Sequence, residues 1–323
     1  MAESYFIVGG AGFIGSHFVQ HLLGDPQTGR VTIFDNMSSG REWHFSDHAG
    51  DSRFAFVRGD AGDLAALTGA MRGHDTVIHL ASNPDIAKAQ TEPTIDFYQG
   101  TLLTQQVVEA MRQSGAGTIL YASGSGVYGD LGETEAREAD SIGLPISTYG
   151  ASKLAGETLI SSYCFMFGLR GRSFRFGNVV GPRQTHGVGF DFVRRLLADP
   201  TGLDILGDGR QSKSYIHVSD VVNAVLTAHR NADKPYDVYN VATGDYVTVT
   251  EIAELAIEVL GLKPDRVAFR YAGGDRGWKG DVPVVRIATD RIRQLGWKCR
   301  HSSREAMAAA MRSMIADFRS GLM

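Results

Sequence analysis

Two cysteines in 323 residues, Cys164 and Cys299, cannot build a disulfide framework, and their separation matches no metal or redox spacing. So few thiols suit a reducing cytoplasm. Neither sign of charge dominates: 32 Lys and Arg stand against 36 Asp and Glu, a formal net charge of -4. The composition implies no polyanion-binding surface, so nucleic acid is not expected as a partner. No apolar run approaches the ~20 residues of a membrane span. The N-terminal run Tyr5-Phe6-Ile7-Val8 breaks at once into glycine, so a signal-like segment is not expected. No pair of histidines has zinc-ligand spacing, so no metal is assigned. Internal repeats and low-complexity segments are missing as well.

Glycine is abundant, at 39 residues, and in a globular chain it marks tight backbone approaches. Short apolar runs at 5–8, 31–34, 54–57, 76–80, 118–122 and 172–175 read as buried strands. Stretches with helical spacing lie between them, at 13–23, 64–71, 102–111 and 149–167. This alternation predicts an α/β fold, a Rossmann-type doubly wound parallel sheet covered on both faces. The regularity fades after about residue 180. A helix at 190–197, short strands at 203–206 and 238–241, a helix over 247–260 and a helical tail at 302–318 suggest a smaller C-terminal α/β lobe. Thr248 or Thr250 would cap the 247–260 helix, with Glu251 in its first turn. The expected division is 1–180 for a dinucleotide-binding domain and 181–323 for the lobe, with later segments returning to the first.

Three motifs carry chemistry. Gly9, Gly12 and Gly15 are spaced three apart, after the first strand and at the start of the first helix. A tight turn, close backbone approach to a pyrophosphate and a helix N-terminus aimed at an anion all need that pattern. Asp35 ends the second strand twenty residues after Gly15. There a carboxylate can accept both ribose hydroxyls and repel a 2′-phosphate, favouring NAD over NADP; alternatively it is a turn residue of Asp35-Asn36. Asp60 follows the third strand and either meets the adenine edge or caps a loop. Tyr149 and Lys153, four apart on a helix, share one face. A phenol titrates near pH ~10, and an ammonium beside it favours the phenolate. The pair is a candidate base for an alcohol proton, or else a surface tyrosine beside a solvated lysine.

Further motifs occur in a fixed order: His79-Leu80-Ala81-Ser82, Val127-Tyr128-Gly129, the Tyr149 to Lys153 stretch, Asn178-Val179-Val180-Gly181-Pro182-Arg183 and Gly207-Asp208-Gly209. With the glycine fingerprint and Asp35, the chain resembles, over nearly its whole length, an extended short-chain dehydrogenase/reductase of the nucleotide-sugar epimerase group. The resemblance implies NAD as cofactor, held by Gly9, Gly12, Phe13, Ile14, Gly15, Asp35, Asn36, Asp60, Leu80, Ala81, Ser82, Tyr149 and Lys153. It implies that Tyr149 takes a proton from a sugar hydroxyl while hydride moves to NAD, and that the transient ketone takes the hydride back on its other face. Lys153 would hold the nicotinamide ribose and lower the phenol's pKa. The substrate would be a nucleotide-diphosphate sugar, held by Asn178, His186, Lys213 and, near the C-terminus, Arg276 and Trp278. Lys213 stands where the family most often has arginine, which keeps the charge and loses the bidentate fork. Lys279 could serve in place of Arg276. Trp278 stands where the family's second phosphate-binding arginine falls and could instead fill the core of the lobe. A homodimer built on the helices near 102–111 and 149–167 is also implied.

One departure is clear. The family carries Ser or Thr four residues before the tyrosine of Val-Tyr-Gly, and that position is Gly124. Ser125 and Ser123 flank it; Ser125 is the favoured replacement, and both could instead cap the strand end. The same stretch separates sister reactions. The group's dehydratases place an Asp-Glu pair after the threonine, its decarboxylases keep a Glu there, and its 3,5-epimerases place a cysteine at the position of Gly126. Ser125 and Gly126 offer none of these, so C4 epimerisation is the expected reaction, with a dehydratase, a decarboxylase or a non-catalytic NAD-binding protein as alternatives. His79 ends a buried strand and is expected to be a packed structural histidine.

Overall fold

The computed structural model describes residues 2–140 and 144–323. The chain forms two compact units. The first comprises Met1–Val127, Ser147–Arg175 and Val225–Tyr239; the second comprises Tyr128–Ile146, Phe176–Ala224 and Asn240–Met323. Both are built from interrupted segments of the chain.

The first unit carries a seven-stranded sheet. Its strands are β1 (Glu3–Val8), β2 (Thr28–Asp35), β3 (Phe54–Arg58), β4 (Thr76–His79), β5 (Thr118–Gly124), β6 (Arg170–Phe176) and the strand Tyr236–Val241. They lie in the order Tyr236–Val241, β6, β5, β4, β1, β2, β3. β1 pairs in parallel with both β2 and β4, and β2–β3 and β4–β5 are parallel too. Helices α1 (Phe13–Gly24), α2 (Leu64–Met71), α3 (Leu103–Ser114) and α4 (Thr148–Phe167) supply crossovers. Strand order reverses between β1 and β4, and a ligand crevice belongs at such a switch point. Phe6, Ile7, Val77 and Ile119 are fully buried, as strands covered on both faces require.

Two local features set the helix that matters most. Ser147 caps α4, its side chain accepting from the Gly150 N–H, and Gly168 ends it in a left-handed turn at φ 72. α3 is preceded by a π-helical turn, Phe97–Leu102, so the helix begins earlier than the 102–111 periodicity indicates. A Cβ at Gly100 would lie 2.6 Å from Ser152 Oγ, so only glycine lets this turn lie so close to α4. β4 ends at His79 rather than residue 80, because the Leu80 and Ala81 N–H groups both turn to the Val8 carbonyl (2.9 and 3.0 Å).

In the second unit α5 (Val188–Ala198), α7 (Val249–Leu260) and the helix Ser303–Arg319 pack Phe192, Val193, Leu196, Ile252, Leu255, Met307 and Met311 into one core. Thr248 is the cap of α7, in a reciprocal box with Glu251, while the Thr250 hydroxyl turns to the Gly209 carbonyl at 3.2 Å. Short strand pairs join Asn178–Val180 to Tyr215–His217, Ser212–Lys213 to Val247–Thr248, and Gly202–Ile205 to Ala268–Tyr271. Helix α6 (Val218–Asn231) was not foreseen. Its valines have low helix propensity, and burial of Val218, Val221, Val222 and Val225 at helical spacing overrides it.

His79 shows what burial does to a titrating group. Thr104 Oγ1 donates to the Gly100 carbonyl (2.9 Å) and therefore accepts from His79 Nε2–H (3.1 Å). The ring lies 5.3 Å from that of Tyr121. Burial, aided by the Lys153 charge, pushes the imidazole down from 6.5 to about 3. Between those values the unfolded chain binds a proton that the folded chain refuses, so stability rises with pH there and is lost as pH falls. Acidification across that whole window costs roughly 3–5 kcal/mol, none of which acts at neutral pH. His79→Leu should flatten the decline of the melting temperature between pH 6.5 and about 3. Parallel melting curves for parent and variant across that window would overturn the account.

Candidate active site

The turn after β1 is shaped by close approaches. Gly9 has φ 81, and a Cβ there would lie 2.7 Å from the Ala81 nitrogen. A Cβ at Gly15 would lie 2.6 Å from Gly10 Cα. Gly12 is the N-cap of α1; no side chain caps it and the first turn holds no acid, so the Phe13 and Ile14 end of the helix presents its positive pole undischarged. Asp35 closes the far wall. Its Oδ2 accepts from the Ala11 N–H (3.0 Å) and its Oδ1 from the Met37 N–H (2.8 Å), and burial pushes its carboxyl up. Each oxygen keeps a further lone pair for a ribose hydroxyl. Met37 takes a left-handed φ of 64 to turn the chain back. Asn36 Nδ2 reaches Asp60 Oδ2 at 3.5 Å, and Asp60 Oδ1 accepts from the Gly62 N–H at 2.8 Å. Asp60 is thus an exposed turn carboxylate beside Asn36. Leu80 and Ala81 floor the switch point, and Ser82 leads from them toward Tyr149. These residues fit a dinucleotide: a backbone cradle that a Cβ would fill, an open helix pole and a carboxylate twenty residues on.

Tyr149 sits in the first turn of α4, half-buried, and Lys153 lies one turn below, 2% exposed. Lys153 Nζ donates to the Ala122 carbonyl at 2.8 Å. It lies 5.4 Å from the Tyr149 ring centre and 5.2 Å from that of Tyr121. Burial pushes the ammonium down to about 8, with Asp96 opposing. The expectation that Lys153 brings the Tyr149 phenol down is not met by the protein's own groups. Burial raises the phenol above its ordinary value of 10.0, Ser82 lowers it and Asp96 raises it further. Desolvation of a phenolate outweighs a cation at that distance from the ring.

The two serines behave differently. Ser123 Oγ donates to Glu157 Oε1 at 2.6 Å, and Glu157 forms a two-pronged pair with Arg175 at 3.0 and 2.7 Å. All three are buried, so Ser123 is committed to a structural ion pair. Ser125 opens the short 3₁₀ turn Ser125–Tyr128, is half-buried, and among the described residues its hydroxyl has no hydrogen-bond partner. A Cβ at Gly124 would meet nothing within 4 Å, and one at Gly126 only Gly150 Cα at 3.5 Å. No steric need for glycine explains the missing hydroxyl.

The second unit holds the other candidates. Asn178 starts the strand Asn178–Val180, its N–H bonded to the Ser214 carbonyl (3.0 Å), with its side chain toward Tyr215. Lys213 Nζ meets Asp281 Oδ1 at 2.5 Å. Arg276 reaches the Asp281 carbonyl and Asp130 Oδ2, both at 2.7 Å. Asp281 therefore gathers Lys213 and Arg276 into one cluster. Neither Asp281 nor Asp130 was foreseen as a partner; the Gly280-Asp281 dipeptide was the only signal. The Trp278 ring lies 2.8 Å from where a Gly280 Cβ would stand, half-buried against its own loop. Lys279 and His186 are exposed. Among the described residues no cluster of His, Cys, Asp and Glu could hold a metal ion.

Residues 5–242 match the NAD dependent epimerase/dehydratase family. The chain is 32% identical over 288 residues to a dTDP-glucose 4,6-dehydratase of an Actinoplanes species, covering 86% of this chain and 89% of that one. It is 31% identical over 310 residues to a UDP-glucose 4-epimerase of Mycolicibacterium smegmatis, covering 94% and 95%. A crystal structure of a UDP-galactose 4-epimerase superposes with a TM-score of 0.85 at 35% identity, over 97% of this chain and 99% of that one.

The glycine cradle gives a direct prediction. Gly15→Ala must push α1 away from Gly10, costing about 1–3 kcal/mol of stability and loosening NAD. Gly24→Ala, at the other end of the same helix with nothing within 4 Å of the added Cβ, should do neither. Melting curves and the NAD released on denaturing each purified variant test this; equal retention in all forms would show that the cradle does not hold the cofactor.

Proposed function

Because the chain belongs to the NAD dependent epimerase/dehydratase family, we propose that it is a nucleotide-sugar epimerase acting at C4. The family holds both reaction types, and the two relatives divide between them. The observation that carries the reading is the turn after β5. A dehydratase must protonate a leaving hydroxyl and remove a carbon-bound proton, which needs acid and base groups at the sugar. Ser125–Tyr128 brings no carboxylate to that strand end. One phenol with a lysine beneath it suffices for oxidation and reduction at a single carbon.

NAD supplies the hydride acceptor and later the hydride donor, and its cationic ring adds the positive charge that the Tyr149 phenolate needs. Tyr149 takes the proton of the C4 hydroxyl, leaving a 4-keto sugar. Once the sugar has presented its other face, the phenol returns that proton to the oxygen of inverted C4. Lys153, fixed by the Ala122 carbonyl, keeps a positive charge beneath the phenol throughout. Ser125 supplies a hydroxyl to the reacting oxygen in place of the one missing at Gly124. Lys213 and Arg276 grip the diphosphate, and Asn178 contacts the substrate. Homodimerisation is part of the same reading. Phe97 and Tyr98, more than half exposed, lie on the turn packed along α4, whose own end exposes Phe165 at 93% and Met166 at 68%. A monomer at micromolar concentration in sedimentation would count against it.

Incubation with uridine-, thymidine-, cytidine-, guanosine- and adenosine-linked sugars should give a diastereomer of unchanged mass; a product lighter by one water would assign a dehydratase instead. Tyr149→Phe should lower kcat by ~10²–10⁴-fold. Ser125→Ala should cost about tenfold, and Gly124→Ser, which fills open space, should restore it. Full activity in Ser125→Ala would remove that serine from the chemistry.

A further inference from the structure

Asp96 is 1% exposed and, among the described residues, makes no ion pair. A buried carboxylate without a cation is costly, and a chain retains one at a cost in stability. Its two oxygens are both engaged as acceptors, Oδ1 from Asn83 Nδ2 (2.9 Å) and Oδ2 from Thr148 Oγ1 (2.6 Å). That is the pattern of an ionised acid. Asn83 is itself pinned, its amide donating to the Asp85 carbonyl (2.9 Å) and its carbonyl accepting from the Asp85 N–H (3.0 Å). Thr148 is the first residue of α4, immediately before Tyr149. The carboxylate therefore grips the very start of the helix that carries Tyr149 and Lys153. It does so from the segment leading into the Phe97–Leu102 turn, which Gly100 brings against Ser152.

We propose that Asp96 is a positioning residue whose buried negative charge sets the pH range over which Tyr149 and Lys153 work as a pair. The inference rests on the reading of Tyr149 as the base. One anion acts on both partners in the same sense: it holds the proton on the lysine and resists its loss from the phenol. Its field opposes the burial that pushes Lys153 down to about 8 and adds to the burial that pushes Tyr149 up. Without it the lysine would lose its charge nearer neutrality. The other titratable groups facing the pair are His79, Tyr121 and Glu157. His79 on β4 is held down at about 3, Tyr121 on β5 is pushed far up, and Glu157 on α4 is locked to Arg175. Lys88 and Glu92, on the turn before Asp96, pair with each other at the surface (3.1 Å).

The test is the pH profile of turnover. Its two limbs report the ionisations of the phenol and the lysine as a coupled pair. Asp96→Asn keeps an acceptor and removes the charge, so both limbs should move to lower pH together, by at least about half a unit. Asp96→Glu keeps the charge and should leave the limbs in place even where the altered length lowers kcat. A group that only caps α4 would lower kcat in both variants with the limbs unmoved, and that result overturns the proposal. Should Asp96→Asn not fold, Asp96→Ser serves as the neutral variant. The ultraviolet phenolate titration of Tyr149, taken by difference against Tyr149→Phe, should shift down with either neutral variant; an unshifted titration also overturns the proposal. Full activity in Tyr149→Phe alone would sink the assignment of the base, a separate outcome.

Discussion

Burial of the Lys153 ammonium is the constraint that organises the first unit. An ammonium taken out of water needs acceptors and a compensating charge. Here the Ala122 carbonyl accepts at 2.8 Å, the rings of Tyr121 and Tyr149 lie within 5.4 Å, and Asp96 supplies the negative field. Each provision constrains another element. β5 must present its Ala122 carbonyl to the lysine, and α4 must be capped at Ser147 so that Tyr149 and Lys153 share a face. The turn before α3 must come close enough for Gly100 to touch Ser152. The cap, the π-helical turn and the strand end are local solutions to one problem of charge.

The sequence made the first unit legible because its signals are local. Short continuous apolar runs against stretches of helical spacing separated β1 to β6 from α1 to α4, and the glycine spacing marked the cradle. The Tyr149 and Lys153 pair could be read from helix geometry alone. What could not be read are contacts between residues far apart in the chain. Ser123 could be placed near the site by position, yet its bond to Glu157 depends on Arg175 arriving on β6. Asp96 lies 52 residues from Thr148 and carries no motif. The direction of the phenol's shift was also beyond the sequence, because it turns on how much water the fold excludes. In the second unit the strands are two to four residues long, too short for a period to establish itself, and α6, whose residues are divided between the units, reads by propensity against its own conformation.

The two units hold their cations by different physics. Lys153 has a neutral acceptor and a carboxylate that acts through its field, so its charge state depends on the fold and is sensitive to pH. Lys213 and Arg276 instead touch carboxylates directly, at 2.5 and 2.7 Å, on a partly exposed surface. Such pairs are worth little individually and exchange partners at small cost. A phosphate oxygen that replaced Asp281 at Lys213, or Asp130 at Arg276, would trade one anion for another. The net gain would come from geometry and from the second negative charge, so these cations would favour a diphosphate over a monoanion. Asp281 would keep its bond to the Gly277 N–H at 3.3 Å, made through its other oxygen, and so go on holding the loop that carries Trp278.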